Sequence, residues 1–307
     1  MRRTPVKLPS FPRKKAEKST RQKGEVRRWE RLIPWFFLAP SLLVVAVIVL
    51  LPFLDVLRRS FTSAMSHQFV GLQNYRIVLA NEAFQLAAAN TAKFIAVCLP
   101  LLLVLSLIIA LMLSAVKETR GIFKTSFLIP MAIPVASIVF LWRAMFHDKG
   151  ILNAVLLQTG QEPISWIGSS AAFWVLVFTY LWKNAGYDMV LWVSGLSGIS
   201  PAFYESAEID GAGAWSRFWK ITLPNLLPTM FTVLVLSLLN SFKVFREAYL
   251  IAGSYPHDSI YMLQHLFNNW FLNLDVDKMC AGAVLMALVV FLLIMLLQKI
   301  WSREGDL

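Results

Sequence analysis

Late in the chain, Asn240, Lys243, Arg246 and Glu247 interrupt a run of apolar residues. Asn240, Lys243 and Glu247 stand at i, i+3 and i+7, one face of a helix, and Lys243 and Glu247 are spaced to pair at i, i+4. Phe242, Phe245 and Tyr249 interleave with them. Aromatic rings beside amide and charged hydrogen-bonders suit a sugar, whose apolar face meets the rings and whose hydroxyls meet the polar groups. Asn240, Phe242, Lys243, Glu247 and Tyr249 are therefore the candidate residues of a substrate pathway. In the competing reading, Lys243, Arg246 and Glu247 only mark the outer end of a span near lipid headgroups. A second polar set, Trp182, Lys183, Asn184, Tyr187 and Asp188, reads as structural, with Lys183 tied to Asp188 or to another helix.

Bond-making chemistry has no comparable signature. The chain has no phosphate-cradling glycine loop, H-E-x-x-H or G-x-S-x-G pattern, so any ATPase must be a separate chain. His67, His147, His257 and His265 lack metal-ligand spacing and read as surface or interfacial residues. Cys98 and Cys280 lie in apolar stretches and read as small buried side chains. No metal or cofactor is expected on this chain.

The elements that must carry these residues are membrane spans. Of 307 residues, 57% are hydrophobic and 15% charged, against about a quarter charged in soluble domains. Apolar runs predict six transmembrane helices at 32–54, 94–116, 125–142, 171–196, 223–251 and 279–298. The net charge of +11 is concentrated: 12 of 29 Lys and Arg residues fall in 1–31. This predicts a disordered basic tail held at the cytoplasmic face against anionic lipid, rather than a nucleic-acid binder. With both termini inside, 19 cationic residues lie on the cytoplasmic side and 7 outside, the bias of a plasma-membrane protein with cytoplasmic N- and C-termini. A short C-terminus, 302–307, would follow the last span.

The segment Ser200–Pro224 is a loop with readable grammar. Ser200 can cap a helix and Pro201 suits its first position. Glu205 and Ala207 lie in that helix, and Gly211 permits the left-handed backbone that ends it. Asp210 can cap a second short helix over about 214–221, before Pro224 opens the fifth span.

The spacing Glu205-x-Ala207-x-x-x-Gly211, followed by Ile221-x-Leu223-Pro224, resembles the "EAA" loop of binding-protein-dependent ABC importer permeases. With Asp210 before Gly211 it resembles the maltose and multiple-sugar group. Ser206 stands where the family usually has Ala. Phe69–Tyr75, Asn90-Thr91, Trp182 and Gly186 also fit, so the resemblance spans about 32–301. It implies an all-helical type I importer permease, with Glu205, Ala207, Asp210, Gly211 and Ala212 docking in a cleft of the ATPase. It further implies a second homologous permease, two copies of a cytoplasmic ATPase that hold the ATP-Mg, and an extracytoplasmic sugar-binding protein. An ion-coupled secondary transporter and a membrane scaffold or sensor are the rival classes.

Overall fold

Apolar runs of about twenty residues can satisfy their backbone in lipid only as helices or closed barrels, and here they form helices. The computed structural model describes residues 34–115 and 120–304. Among these there is no strand; one isolated antiparallel bridge joins Thr62 and Phe69. The basic tail, Lys117, Glu118 and the end of the C-terminal segment lie outside the described residues.

The chain divides into two units, residues 1–58 and 59–307. In the first, helix α1 (Pro34–Ser60) leaves none of its most apolar stretch buried, which suits contact with lipid tails. The second unit opens with α2 (Gln73–Ala80) and α3 (Glu82–Ala115). After them come α4 (Arg120–Ala132), α5 (Val135–Phe146) and α6 (Ile151–Gln158). Then follow α7 (Ala171–Ser197), α8 (Pro201–Ile209) and a 39-residue helix, α9 (Ala214–Ala252). The unit closes with α10 (Leu263–Leu272) and α11 (Val276–Glu304).

Length and apolarity alone single out α1, α3, α9 and α11 as spans, with the bent stretch Gly121–Gln158 as a fifth. Helix α7 is 27 residues long, about 40 Å of rise and enough to cross a bilayer. Lys183, Asn184 and Asp188 keep it from the apolar set.

One span expectation is corrected and another extended. A straight third span over 125–142 does not form, because the chain turns by 90° between α4 and α5. Pro134 lacks an N–H and disfavours helical backbone at Ile133, so the helix stops there. The helix that carries the expected fifth span also begins before Pro224. The helix runs on from Ala214 through a wide turn at Phe218–Thr222, and Pro224 sits in the first turn of the regular stretch after it.

Helix α7 is the hub. Its N-terminal half packs Phe173, Leu176 and Tyr180 against Phe94, Cys98 and Leu102 of α3 and Val244 and Ala248 of α9. Its C-terminal half packs Met189 and Trp192 against Ala110 and Leu113 of α3 and Leu226 and Val233 of α9. Helix α4 crosses α7 at Gly186, where an added Cβ would lie 1.8 Å from the Phe127 carbonyl oxygen. Glycine stands there because backbone occupies the side-chain space.

The outer segments are held by side-chain amides. Asn74 donates to the carbonyls of Ser60 and Thr62, at 3.1 and 3.0 Å. Asn153 donates to the carbonyls of Asp148 and Ile164 and accepts from the Ile164 N–H and the Trp166 indole. Asn90 donates to the carbonyls of Asp258 and Tyr261, and the Thr91 hydroxyl accepts from the Leu263 N–H. Cys98 and Cys280 are buried, as expected. His265 is not the surface or interfacial residue expected: it is fully buried, its Nδ1 accepts from the Met262 N–H, and rings of Phe245, Tyr249 and Tyr261 surround it.

Two outcomes follow from this packing. Gly186→Val should destabilise the detergent-purified protein by at least about 1–3 kcal/mol, read as a lower melting temperature, whereas Gly121→Ala, in helical backbone with no atom within 4 Å, should cost far less. Burial pulls the His265 imidazole from 6.5 down to about 4, so as pH falls below 6.5 the unfolded segment takes up a proton that the folded one refuses. Stability is therefore full above that value and declines toward pH 4. Hydrogen exchange in α10 should accelerate beyond its intrinsic pH dependence as the pH falls through that window, and His265→Gln should flatten the response.

Candidate functional site

The expected coupling residues sit on one exposed corner. Ser200 enters in extended backbone and Pro201 takes the first helical position, but the Ser200 side chain caps nothing. Helix α8 ends at Asp210, and Gly211 adopts φ +74°. The Gly211 N–H bonds the Glu208 carbonyl at 3.0 Å and the Ala212 N–H bonds the Ala207 carbonyl at 2.8 Å. This is a Schellman ending, in which the left-handed residue lets the chain fold back onto the last carbonyls. The fixed interval from Ala207 to Gly211 and Ala212 is thus a backbone requirement. Nothing lies within 4 Å of a Cβ placed on Gly211, so its φ, rather than space inside this chain, demands glycine.

Asp210 does not cap the second helix. It ends the first, and Gly213 occupies the N-cap position of the next. Glu205, Asp210 and Gly211 are exposed, while Ala207 and Ala212 are half-buried. Around them stand exposed apolar side chains, Phe203, Ile209, Trp215 and Trp219, with Ile209 at 87%. A patch of this kind suits contact with a protein partner or with the lipid surface. One tie went unread in the sequence: the Tyr204 hydroxyl meets the Thr222 hydroxyl at 2.9 Å, fastening α8 to the root of α9. The Glu208–Arg217 ion pair, 3.6 Å apart with Glu208 exposed, adds little.

At the other end of α9 lies a cavity of about 350 Å³, between the Met131–Val135 bend, α7 and α9. Asn240, Lys243 and Glu247 line it, joined by Tyr180, Lys183, Asn184 and Arg246. Phe242 and Tyr249 do not line it. Both fall on the far side of α9 from the face shared by Asn240, Lys243 and Glu247, and Tyr249 packs against Phe245 and His265.

The expected Lys243–Glu247 pair is also corrected. Lys183 of α7 donates to Glu247, both largely buried, while Lys243 donates to the Asn240 amide oxygen at 2.8 Å. Lys183 is thus tied to another helix, and Asp188 instead accepts from the buried Ser237 hydroxyl at 2.6 Å. The Tyr180 hydroxyl donates to the Ser237 carbonyl at 3.3 Å. Tyr180, Lys183 and Asn184 share one face of α7, a spacing visible in the sequence but read there only as structure.

A second cavity, about 560 Å³, lies toward the coupling corner and is lined by Ser194, Gly195, Phe203, Asn225 and Thr229 among others. Both cavities thus border the same two helices, with the Asp188–Ser237 bond between them along the sequence.

Removing one member of a buried ion pair strands the other, at a cost of about 3–5 kcal/mol, whereas replacing both is near neutral. Lys183→Met should therefore lower the melting temperature and yield of the purified protein more than the double change Lys183→Met/Glu247→Leu. Equal losses in the two variants would show that the pair contributes nothing.

Comparison with known proteins agrees with this architecture. Residues 102–303 match the family described as binding-protein-dependent transport system inner membrane component. The trehalose/maltose transport system permease protein MalF of Thermococcus litoralis is 30% identical over 282 residues, covering 90% of this chain and 94% of that one. The sulfoquinovosyl glycerol transport system permease protein SmoG of Agrobacterium fabrum is 30% identical over 273 residues, covering 84% and 88%. A chain of a bacterial ABC transporter involved in import of the acidic polysaccharide alginate shares the fold, with a TM-score of 0.79 at 21% identity, covering 90% of this chain and 99% of that one. An apolar helical bundle, a Schellman corner at the expected interval and a family match over well over half its length lead to one assignment: this chain belongs to the inner membrane components of binding-protein-dependent transport systems.

Proposed function

We propose that this chain is the permease subunit of an ATP-driven sugar importer. With a second, homologous permease it forms the pathway that carries a sugar or oligosaccharide inward. A binding protein delivers the sugar from outside, and two copies of a cytoplasmic ATPase, which hold the ATP-Mg, bind at the corner formed by Glu205, Ala207, Asp210, Gly211 and Ala212. Both termini are cytoplasmic. Relatives whose names specify trehalose/maltose, lactose and sulfoquinovosyl glycerol support a sugar as cargo. Family membership displaces the ion-coupled reading.

The single observation that carries the coupling mechanism is the continuity of α9. It begins at the exposed corner, fastened to α8 by Tyr204 and Thr222, and runs unbroken to the cavity residues Asn240, Lys243 and Glu247. Ala214 and Asn240 are separated by about 40 Å of helix rise. A push on α8 by a closing ATPase therefore moves the cavity wall rather than dissipating in a loop. ATP binding favours the arrangement open to the binding protein, hydrolysis favours the other, and each ligand acts through its unequal affinity for the two.

In the assembled importer, Gly211→Trp should abolish sugar uptake and co-purification of the ATPase, because a side chain at φ +74° unfolds the Schellman corner and crowds the docking surface. Glu205→Lys should weaken both while insertion stays normal. Uptake and co-purification at wild-type levels in both variants would refute the coupling reading.

A further inference from the structure

Three cations and one carboxylate line the cavity at the far end of α9: Lys183, Lys243, Arg246 and Glu247. Lys183 and Glu247 are joined to each other, which leaves Lys243 and Arg246. Both are exposed, and among the described residues neither has a carboxylate within ion-pair distance. The only polar partner of Lys243 described is the neutral amide oxygen of Asn240. Asp188, the next carboxylate along α7, is fully buried, engaged by Ser237 and absent from the cavity wall.

A charge carried by a membrane helix is costly and defaults to a water-filled cavity or a counter-charge. Here the two free cations open on the same cavity as the Asn184 and Asn240 amides and the Tyr180 ring. The wall therefore offers two fixed positive charges beside groups that bond hydroxyls. At about 350 Å³ the cavity falls within the range of small-ligand sites.

We propose that the cargo is an anionic saccharide, a sugar bearing a carboxylate, sulfonate or phosphate, and that Lys243 and Arg246 select it within the membrane. The inference rests on the importer reading and deepens it. A guanidinium and an ammonium on one wall hydrogen-bond any sugar oxygen, but only an oxyanion adds an opposite charge to those bonds. Lys183 is not part of the selector, because Glu247 already neutralises it. An anionic lipid headgroup offers the same oxyanion chemistry, so the test must separate the two sources.

The complete importer, purified without its binding protein into nanodiscs of phosphatidylcholine alone, is titrated with digalacturonate and with its neutral counterpart, galactobiose. The acidic disaccharide should bind at least about tenfold more tightly, as expected for hydrogen bonds to charged groups. The preference should shrink to about threefold or less in Lys243→Gln/Arg246→Gln and be intermediate in each single variant, and added salt should weaken it. Should the double variant fail to assemble, the single variants carry the test. Equal affinities, no binding of either probe to the wild type, or an undiminished preference in the variants would overturn the proposal. It would equally be overturned if phosphatidylglycerol co-purified with the wild type and not with the variants, while digalacturonate showed no advantage in phosphatidylcholine. In that case the headgroup is the anion. Any of these results leaves the importer reading intact, since that reading stands or falls with the Gly211 and Glu205 variants.

Discussion

Within a bilayer a polar side chain has no water to fall back on, so every such group on α7 must find its partner inside the protein or at a cavity. The arrangement of the bundle can be followed from that requirement. Trp192 donates to Ser106 of α3, itself hydrogen-bonded to the Leu102 carbonyl. Asp188 accepts from Ser237 of α9, and Lys183 binds Glu247 of the same helix. These three ties fix the neighbours of α7, its rotation and its height relative to them, which nonspecific apolar packing in lipid would leave loose. Apolar contacts fill the space between the ties; the polar pairs select one arrangement among many.

Much of this was legible in the sequence because it depends on local backbone rules. A proline at the start of α8 and a glycine past its end are positional signals, and both stand where their stereochemistry requires. The burial of Cys98 and Cys280 followed from their apolar surroundings. The shared face of Asn240, Lys243 and Glu247 followed from helical periodicity, and all three border one cavity.

What was not legible depends on partners distant in sequence or on departures from regular winding. Nothing near Glu247 points to a lysine 64 residues earlier, whereas Lys243 at four residues is an obvious and wrong candidate. Phe242 and Tyr249 were grouped with the polar face because they interleave with it in sequence, although at about 100° per residue they fall on the far side of the helix from Asn240, Lys243 and Glu247. The bend at Pro134 was hidden by an apolar run that reads as one span, although proline had marked the place. His265 looked like a surface residue because its enclosure comes from aromatic rings before and after it in the chain, which only the fold assembles.

The winding of α9 ties its two ends together in a way that residue positions alone do not express. Five residues near the corner, Phe218–Thr222, are under-wound, and three near the cavity, Phe242–Val244, are over-wound. A three-residue-per-turn segment advances about 20° more per residue than an α-helix, so the tight turn adds about 60° of phase over its length. A change in that winding would turn Arg246 and Glu247 about the helix axis relative to Lys183. The Lys183–Glu247 pair lies just beyond that turn, so the winding of α9 and the tie to α7 bear on one another at the cavity.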